Sequence, residues 1–133
     1  MNYDAINSLI GKDWVYLDND CFAVYRKASK LLFNRDIDSV DLPEISRCSE
    51  NIKAFVSAIN GKFWDRIDRP NAGDAVFFFN KKGRPYHIGM YIEDGYVLHC
   101  PGTVQNPLKT TYEKLKDMNP LVYCRYEFYR PCL

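Results

Sequence analysis

The chain has 133 residues, a length that fits one domain. Its 47% hydrophobic and 15% aromatic content supplies a core and excludes an intrinsically disordered chain. Eighteen basic residues against 17 acidic ones give a net charge of +1, which excludes a nucleic-acid binder working through a strongly basic face.

Tyr3, Ile6, Leu9 and Ile10 make a short helical stripe that Gly11 ends. Asp18-Asn19-Asp20 then offers three residues that favour helix N-caps. Beyond it, Cys21, Val24, Tyr25, Ala28, Leu31 and Leu32 recur at the spacing of one buried helical face, with Arg26, Lys27 and Lys30 on the other. A helix is therefore expected from about Asp20 to Phe33. Leu42-Pro43 reads as loop, and Ile52, Phe55, Val56 and Ile59 mark a further helix from about Ser49 to Ile59. After Pro70 the period changes. Ala75 to Phe79 is an unbroken apolar run of strand length, the pattern of a strand buried on both faces. Asn80 to Pro85 is a polar turn, and Tyr86–Ile92 and Tyr96–Cys100 flank Glu93-Asp94-Gly95 as a hairpin. Thr110 to Met118 reads as a short amphipathic helix and Leu121 to Tyr129 as a final strand. Helices followed by an antiparallel sheet define an α+β class.

The hairpin register follows from which face is buried. A three-residue loop sets Ile92 opposite Tyr96 and Met90 opposite Leu98. One face then collects Ile88, Met90, Ile92, Tyr96, Leu98 and Cys100, and the other His87, Gly89, Tyr91, Val97 and His99. Gly95 suits the left-handed position that closes such a loop. In this register His99 opposes Gly89 and lies diagonal to His87, about 7–8 Å apart at the backbone. The chain's two histidines are thus expected to converge beside a glycine.

A cysteine at a helix start and two histidines on a nearby strand face suggest nucleophilic catalysis. The helix N-terminus favours the thiolate, whereas Asp18 and Asp20 oppose it, so an imidazole partner is needed. In that arrangement Cys21 is the nucleophile, His87 the base and His99 the group that orients it. The same residues also fit a small core cysteine, with the histidines as a surface pair or, with Cys21, as zinc ligands. The five cysteines (Cys21, Cys48, Cys100, Cys124 and Cys132) are odd in number and show no C-x-x-C spacing or disulfide framework. Cys48, Cys100, Cys124 and Cys132 read as structural or incidental. The opening residues lack the pattern of a secretory signal, and no apolar run is long enough to cross a bilayer. Synthesis in the cytoplasm is the expectation.

Four segments in order resemble the NlpC-type cysteine peptidases. They are Asn19-Asp20-Cys21-Phe22-Ala23-Val24, residues Pro70 to Phe79, His87-Ile88-Gly89-Met90-Tyr91-Ile92-Glu93-Asp94-Gly95, and Val97-Leu98-His99. The likeness runs from about Lys12 to Phe128. It implies a single domain over residues 1–133 with a papain-like α+β fold: N-terminal helices, a nucleophile at a helix N-terminus and a central antiparallel sheet. It also implies hydrolysis of an amide in the peptide stem of bacterial peptidoglycan, by a Cys21–His87–His99 triad. Tyr16 matches a tyrosine near the oxyanion and substrate, and Asp20 matches an acid that helps to bind a free stem amine. No metal or organic cofactor is implied.

Many members carry Ser-Gly after the nucleophile, where this chain has Phe22-Ala23. That difference and the Tyr16–Cys21 spacing are similar to phage tail-tip members, so tail-tip or delivery-machine proteins are the expected partners and the cell wall the site of action. An exported antibacterial toxin, a catalytically silent tail module and a hydrolase or acyltransferase for another amide or ester are the alternative functions.

Overall fold

The computed structural model describes residues 1–37, 56–57, 59–60, 64–103 and 106–132. Helix α1 spans Tyr3–Leu9, with the Asn2 side chain accepting from the Ala5 amide. Helix α2 spans Cys21–Phe33. Its N-cap is Asp20, whose carboxylate accepts from the Ala23 amide, and its C-cap is Asn34 in the left-handed conformation, donating to the Lys30 and Ser29 carbonyls. The expected stripe is buried from Cys21 to Ala28, but Leu31 is 52% exposed, while Leu32 and Phe33 pack on the edge of the core. Of the helix expected from Ser49 to Ile59, Val56, Ser57 and Ile59 are helical; the rest, with Leu42-Pro43 and Cys48, lies outside the described residues.

Among the described residues six strands form one antiparallel sheet: β1 Trp64–Ile67, β2 Ala75–Phe79, β3 Pro85–Tyr91, β4 Tyr96–His99, β5 Thr111–Lys114 and β6 Arg125–Pro131. Their order is β1-β6-β2-β3-β4-β5. Strand β2 has the expected limits and every residue buried. Ala75, Phe77 and Phe79 join the cluster under α2, with Ile88, Met90, Leu98 and Cys100, while Val76 and Phe78 face the other side of the sheet. On that second face Val97, Leu115 and Met118 complete a smaller cluster.

The hairpin has the expected register, with Met90 opposite Leu98 and Tyr91 opposite Val97. The Ile92 amide donates to the Tyr96 carbonyl, and Gly95 at φ +80° follows Asp94 at φ +52°. Thr110 to Met118 is not a helix. Thr111–Lys114 pairs along β4 as strand β5, and only Leu115–Asp117 turns, as a 3-10 segment. The open edge of β4 recruits a run rich in β-branched and aromatic residues, and Tyr112 stacks on Tyr96 with centroids 4.9 Å apart. The last strand begins at Arg125, four residues later than expected. Leu121 and Val122 stand in a turn nucleated by Asn119, whose carbonyl accepts from the Val122 and Tyr123 amides, and Leu121 is 73% exposed. Strand β1 carries no strong apolar alternation in its own sequence, and its pairing to β6 makes it a strand.

Candidate active site

Cys21 opens α2, and its side chain lies within the buried cluster that joins the helix to β3. The loop before it is tied down at several points. The Trp14 amide donates to the Leu108 carbonyl, and the Thr110 amide to the Lys12 carbonyl. The buried Asn19 amide group donates to the Asp13 carbonyl at 2.9 Å and to Thr110 Oγ1 at 3.2 Å. Asp20 is also buried. Its Oδ1 accepts from the Ala23 amide at 2.8 Å and its Oδ2 from the Leu17 amide at 3.0 Å, so both oxygens hold the loop-to-helix junction. Tyr16 is half-buried and packs against the cluster that contains Cys21.

Burial pushes the Cys21 thiol well above its ordinary range, and the Asp20 charge adds to that. The Ile88 and Phe22 backbone amides work in the opposite direction without prevailing, while nearby Cys100 adds to the upward push. The expectation that the helix N-terminus would favour a thiolate is thus outweighed by desolvation. The resting group is a neutral thiol. The involvement of the Ile88 backbone also places Cys21 beside the residue that follows His87 in β3.

The histidines converge as the hairpin register requires. His87 Nε2 and His99 Nδ1 are 2.8 Å apart, a hydrogen bond between two buried rings. Gly89 makes the approach possible. A Cβ there would stand 2.6 Å from Val97 Cγ2 and 3.1 Å from His99 Cβ. Phe78 packs on both rings, with centroids 5.3 Å from His87 and 6.0 Å from His99. Tyr123 closes the other side, 5.9 Å from His87 and 6.0 Å from His99. Burial in this aromatic box lowers the His87 pKa well below 6.5, and the neighbouring His99 lowers it further. His87 is therefore neutral near pH 7 and able to accept a proton. Tyr123 is pushed up to about 12, first by burial, so it stays a phenol.

Three contributors to this region carry weak signals in the sequence. Glu113 stands on β5 with Oε1 3.7 Å from His99 Nε2; its strand parity shows only once Thr111–Lys114 is read as a strand. Tyr123 sits in a turn whose residues read locally as strand. Gly73-Asp74 forms the turn before β2, closed by the Asp74 amide on the Asn71 carbonyl, and it also links the helix to the sheet. Tyr25 Oη donates to the Gly73 carbonyl at 2.8 Å, and the Arg130 guanidinium grips the buried Asp74 carboxylate with bonds of 3.0 and 2.8 Å. Among the described residues, no group of three His, Cys, Asp or Glu side chains is arranged to hold a metal ion. None of the described helices is long and apolar enough to cross a membrane.

A helix that opens on a cysteine and packs on an antiparallel sheet whose second face carries paired histidines defines a papain-like α+β fold. The chain belongs to the NlpC/P60 family, whose sequence model matches residues 19–119. Among solved structures it is similar to the NlpC/p60 domain of the peptidoglycan hydrolase SagA, with a TM-score of 0.55 at 16% identity, covering 96% of this chain and 92% of that one. No curated protein matches its sequence.

Proposed function

We propose that the chain is a cysteine endopeptidase that hydrolyses an amide bond in the peptide stem of bacterial peptidoglycan. The 2.8 Å bond between His87 Nε2 and His99 Nδ1 carries the reading, because it leaves Nδ1 as the nitrogen of His87 that takes a proton from Cys21. As Cys21 Sγ attacks the carbonyl carbon, its proton passes to His87 Nδ1 and the S–C bond forms. The oxyanion is met by the Cys21 backbone N–H, with Tyr16 alongside it and the substrate. Loss of one such donor typically costs about 10²–10³ in rate. The C–N bond then breaks, and the amine leaves with the proton from His87. Water attacks the thioester, His87 accepts its proton, and C–S cleavage returns the thiol. His99 holds the imidazole of His87 in place throughout. Asp20, buried with both oxygens on backbone amides, orders the start of α2 in this reading and does not meet a stem amine.

We assign the chain to the phage tail-tip branch, acting at the cell wall with tail or delivery-machine partners. The Tyr16–Cys21 spacing and Phe22-Ala23 in place of Ser-Gly support this. Phe22 is a core anchor, packed edge-on to Trp64 with centroids 6.4 Å apart, where the family's serine would be small and polar. Mass spectrometry of purified phage particles tests the assignment, and absence of the chain from them overturns it.

The activity is tested by incubating wild type and Cys21→Ala with purified sacculi and defined muropeptides under reducing conditions near neutral pH. The wild type should release products whose masses identify the cleaved bond, and Cys21→Ala should release none. No product from the wild type would overturn the hydrolase reading in favour of a docking module.

A further inference from the structure

We propose that Glu113 is a positioning residue that selects the tautomers of both histidines, so that His87 presents an unprotonated Nδ1 on the cysteine side. This deepens the cysteine-peptidase reading and rests on it for its consequence in turnover. The geometry of the chain of groups is directional. His99 Nδ1 meets His87 Nε2 at 2.8 Å, so one of these two nitrogens carries the shared proton. His99 Nε2 is buried on a residue 1% exposed, has no hydrogen-bond partner within range, and has Glu113 Oε1 3.7 Å away.

A carboxylate accepts and never donates when ionised, so it favours a proton on His99 Nε2. In neutral His99 that choice leaves Nδ1 as an acceptor. Nδ1 can then be satisfied only if His87 carries its proton on Nε2. Neutral His87 is left with its lone pair on Nδ1, the form a general base requires. The reverse tautomers would leave an unprotonated ring nitrogen facing a carboxylate. The effect of His99 on Glu113 agrees: its imidazole is the first cause holding that carboxyl below its usual range. Glu113 needs a shift of about 0.7 Å to reach an ordinary N–H···O distance, and its side chain is 37% exposed and able to move.

The other titratable groups around the pair do not offer this selection. Tyr123 packs against both rings, and the Tyr86 ring is tilted against His87 from its own strand. On α2, Cys21 lies beside the Ile88 backbone, one residue beyond His87, and Asp20 caps that helix. Only β5 presents a carboxylate to His99 Nε2 among the described residues.

The test is histidine tautomer assignment by long-range 1H–15N correlation on 15N-labelled protein at pH 7.5. Wild type should show a protonated Nε2 and unprotonated Nδ1 on both rings. Glu113→Val, which suits a strand, should show mixed tautomers and lower kcat on muropeptides about tenfold or more with KM little changed, the pattern of a lost orienting group. Glu113→Gln, whose amide oxygen accepts the same N–H, should retain both tautomers. A wild-type His99 protonated on Nδ1 overturns the proposal without any variant, as does Glu113→Val with unchanged tautomers. If the tautomers respond to Glu113 but the wild type cleaves no peptidoglycan, the peptidase reading fails and the role of Glu113 in setting the tautomers stands.

Discussion

Gly89→Ala is the most demanding test of how the histidine face is built. The added methyl would stand 2.6 Å from Val97 Cγ2, 3.1 Å from His99 Cβ and 3.3 Å from the Leu98 carbonyl oxygen. Val97 is fully buried and β-branched, so it has little room to turn aside, and the Leu98 oxygen belongs to the backbone of β4. Relief must come from moving β4 away from β3, which lengthens the 2.8 Å bond between His87 and His99. Overpacking of this kind costs about 1–3 kcal/mol. For a domain of this length, 2 kcal/mol corresponds to a fall in Tm of roughly 6–10 °C. Calorimetry and urea unfolding measure the cost. Adding Val97→Ala removes the tightest contact, and the new methyl fills part of the space. The double variant should therefore be more stable than the sum of the two changes by about 1 kcal/mol. The contact with His99 Cβ persists, so turnover should stay low while stability recovers. A Gly89→Ala protein with parental Tm and activity would refute the reasoning, because it would show that the strands have room for a side chain there.

Further outcomes follow from the buried titratable groups. Because His87 in the folded protein has its pKa lowered from 6.5, the unfolded chain binds a proton that the folded chain refuses as pH falls below about 6.5. Urea unfolding should show stability declining from pH 7 to pH 5.5, by up to about 1.4 kcal/mol per pH unit within that window. His87→Gln should flatten that slope, and an unchanged slope would refute the assignment. Asp20→Ala should lose about 1 kcal/mol or somewhat more, since amides of both Ala23 and Leu17 lose their acceptor. Asp20→Asn keeps one capping oxygen but removes the charge and turns an NH2 toward the second amide, so it too should lose stability, while Cys21 should react faster with iodoacetamide at pH 8, as read by peptide mass mapping. Equal labelling rates in Asp20→Asn and wild type would show that the charge does not act on the thiol.

Local patterns in the chain determined α2, β2 and the β3–β4 hairpin. In each, the burial period is expressed within one or two neighbouring segments. The face shared by His87, Gly89 and His99 follows from that same local parity, since a one-residue slip would have mixed histidine or glycine with apolar residues on each face. The cap at Asp20 was legible for the same reason, because a helix N-terminus is satisfied by its own adjacent residues.

Tertiary structure decided the rest. Thr111–Lys114 is a strand because β4 offers an unpaired edge, and β1 is a strand because β6, at the far end of the chain, does. Glu113 could not be set beside His99 while its segment read as a helix, and Leu121 could not be excluded from a strand until the Asn119 turn had formed. The thiol of Cys21 makes the same point in energies. A helix start and its dipole are written in the sequence, but the desolvation that outweighs them exists only when α2 packs on β3. Short-range periodicity thus settled which residues could meet, while long-range packing set the geometry and the protonation states in which they do.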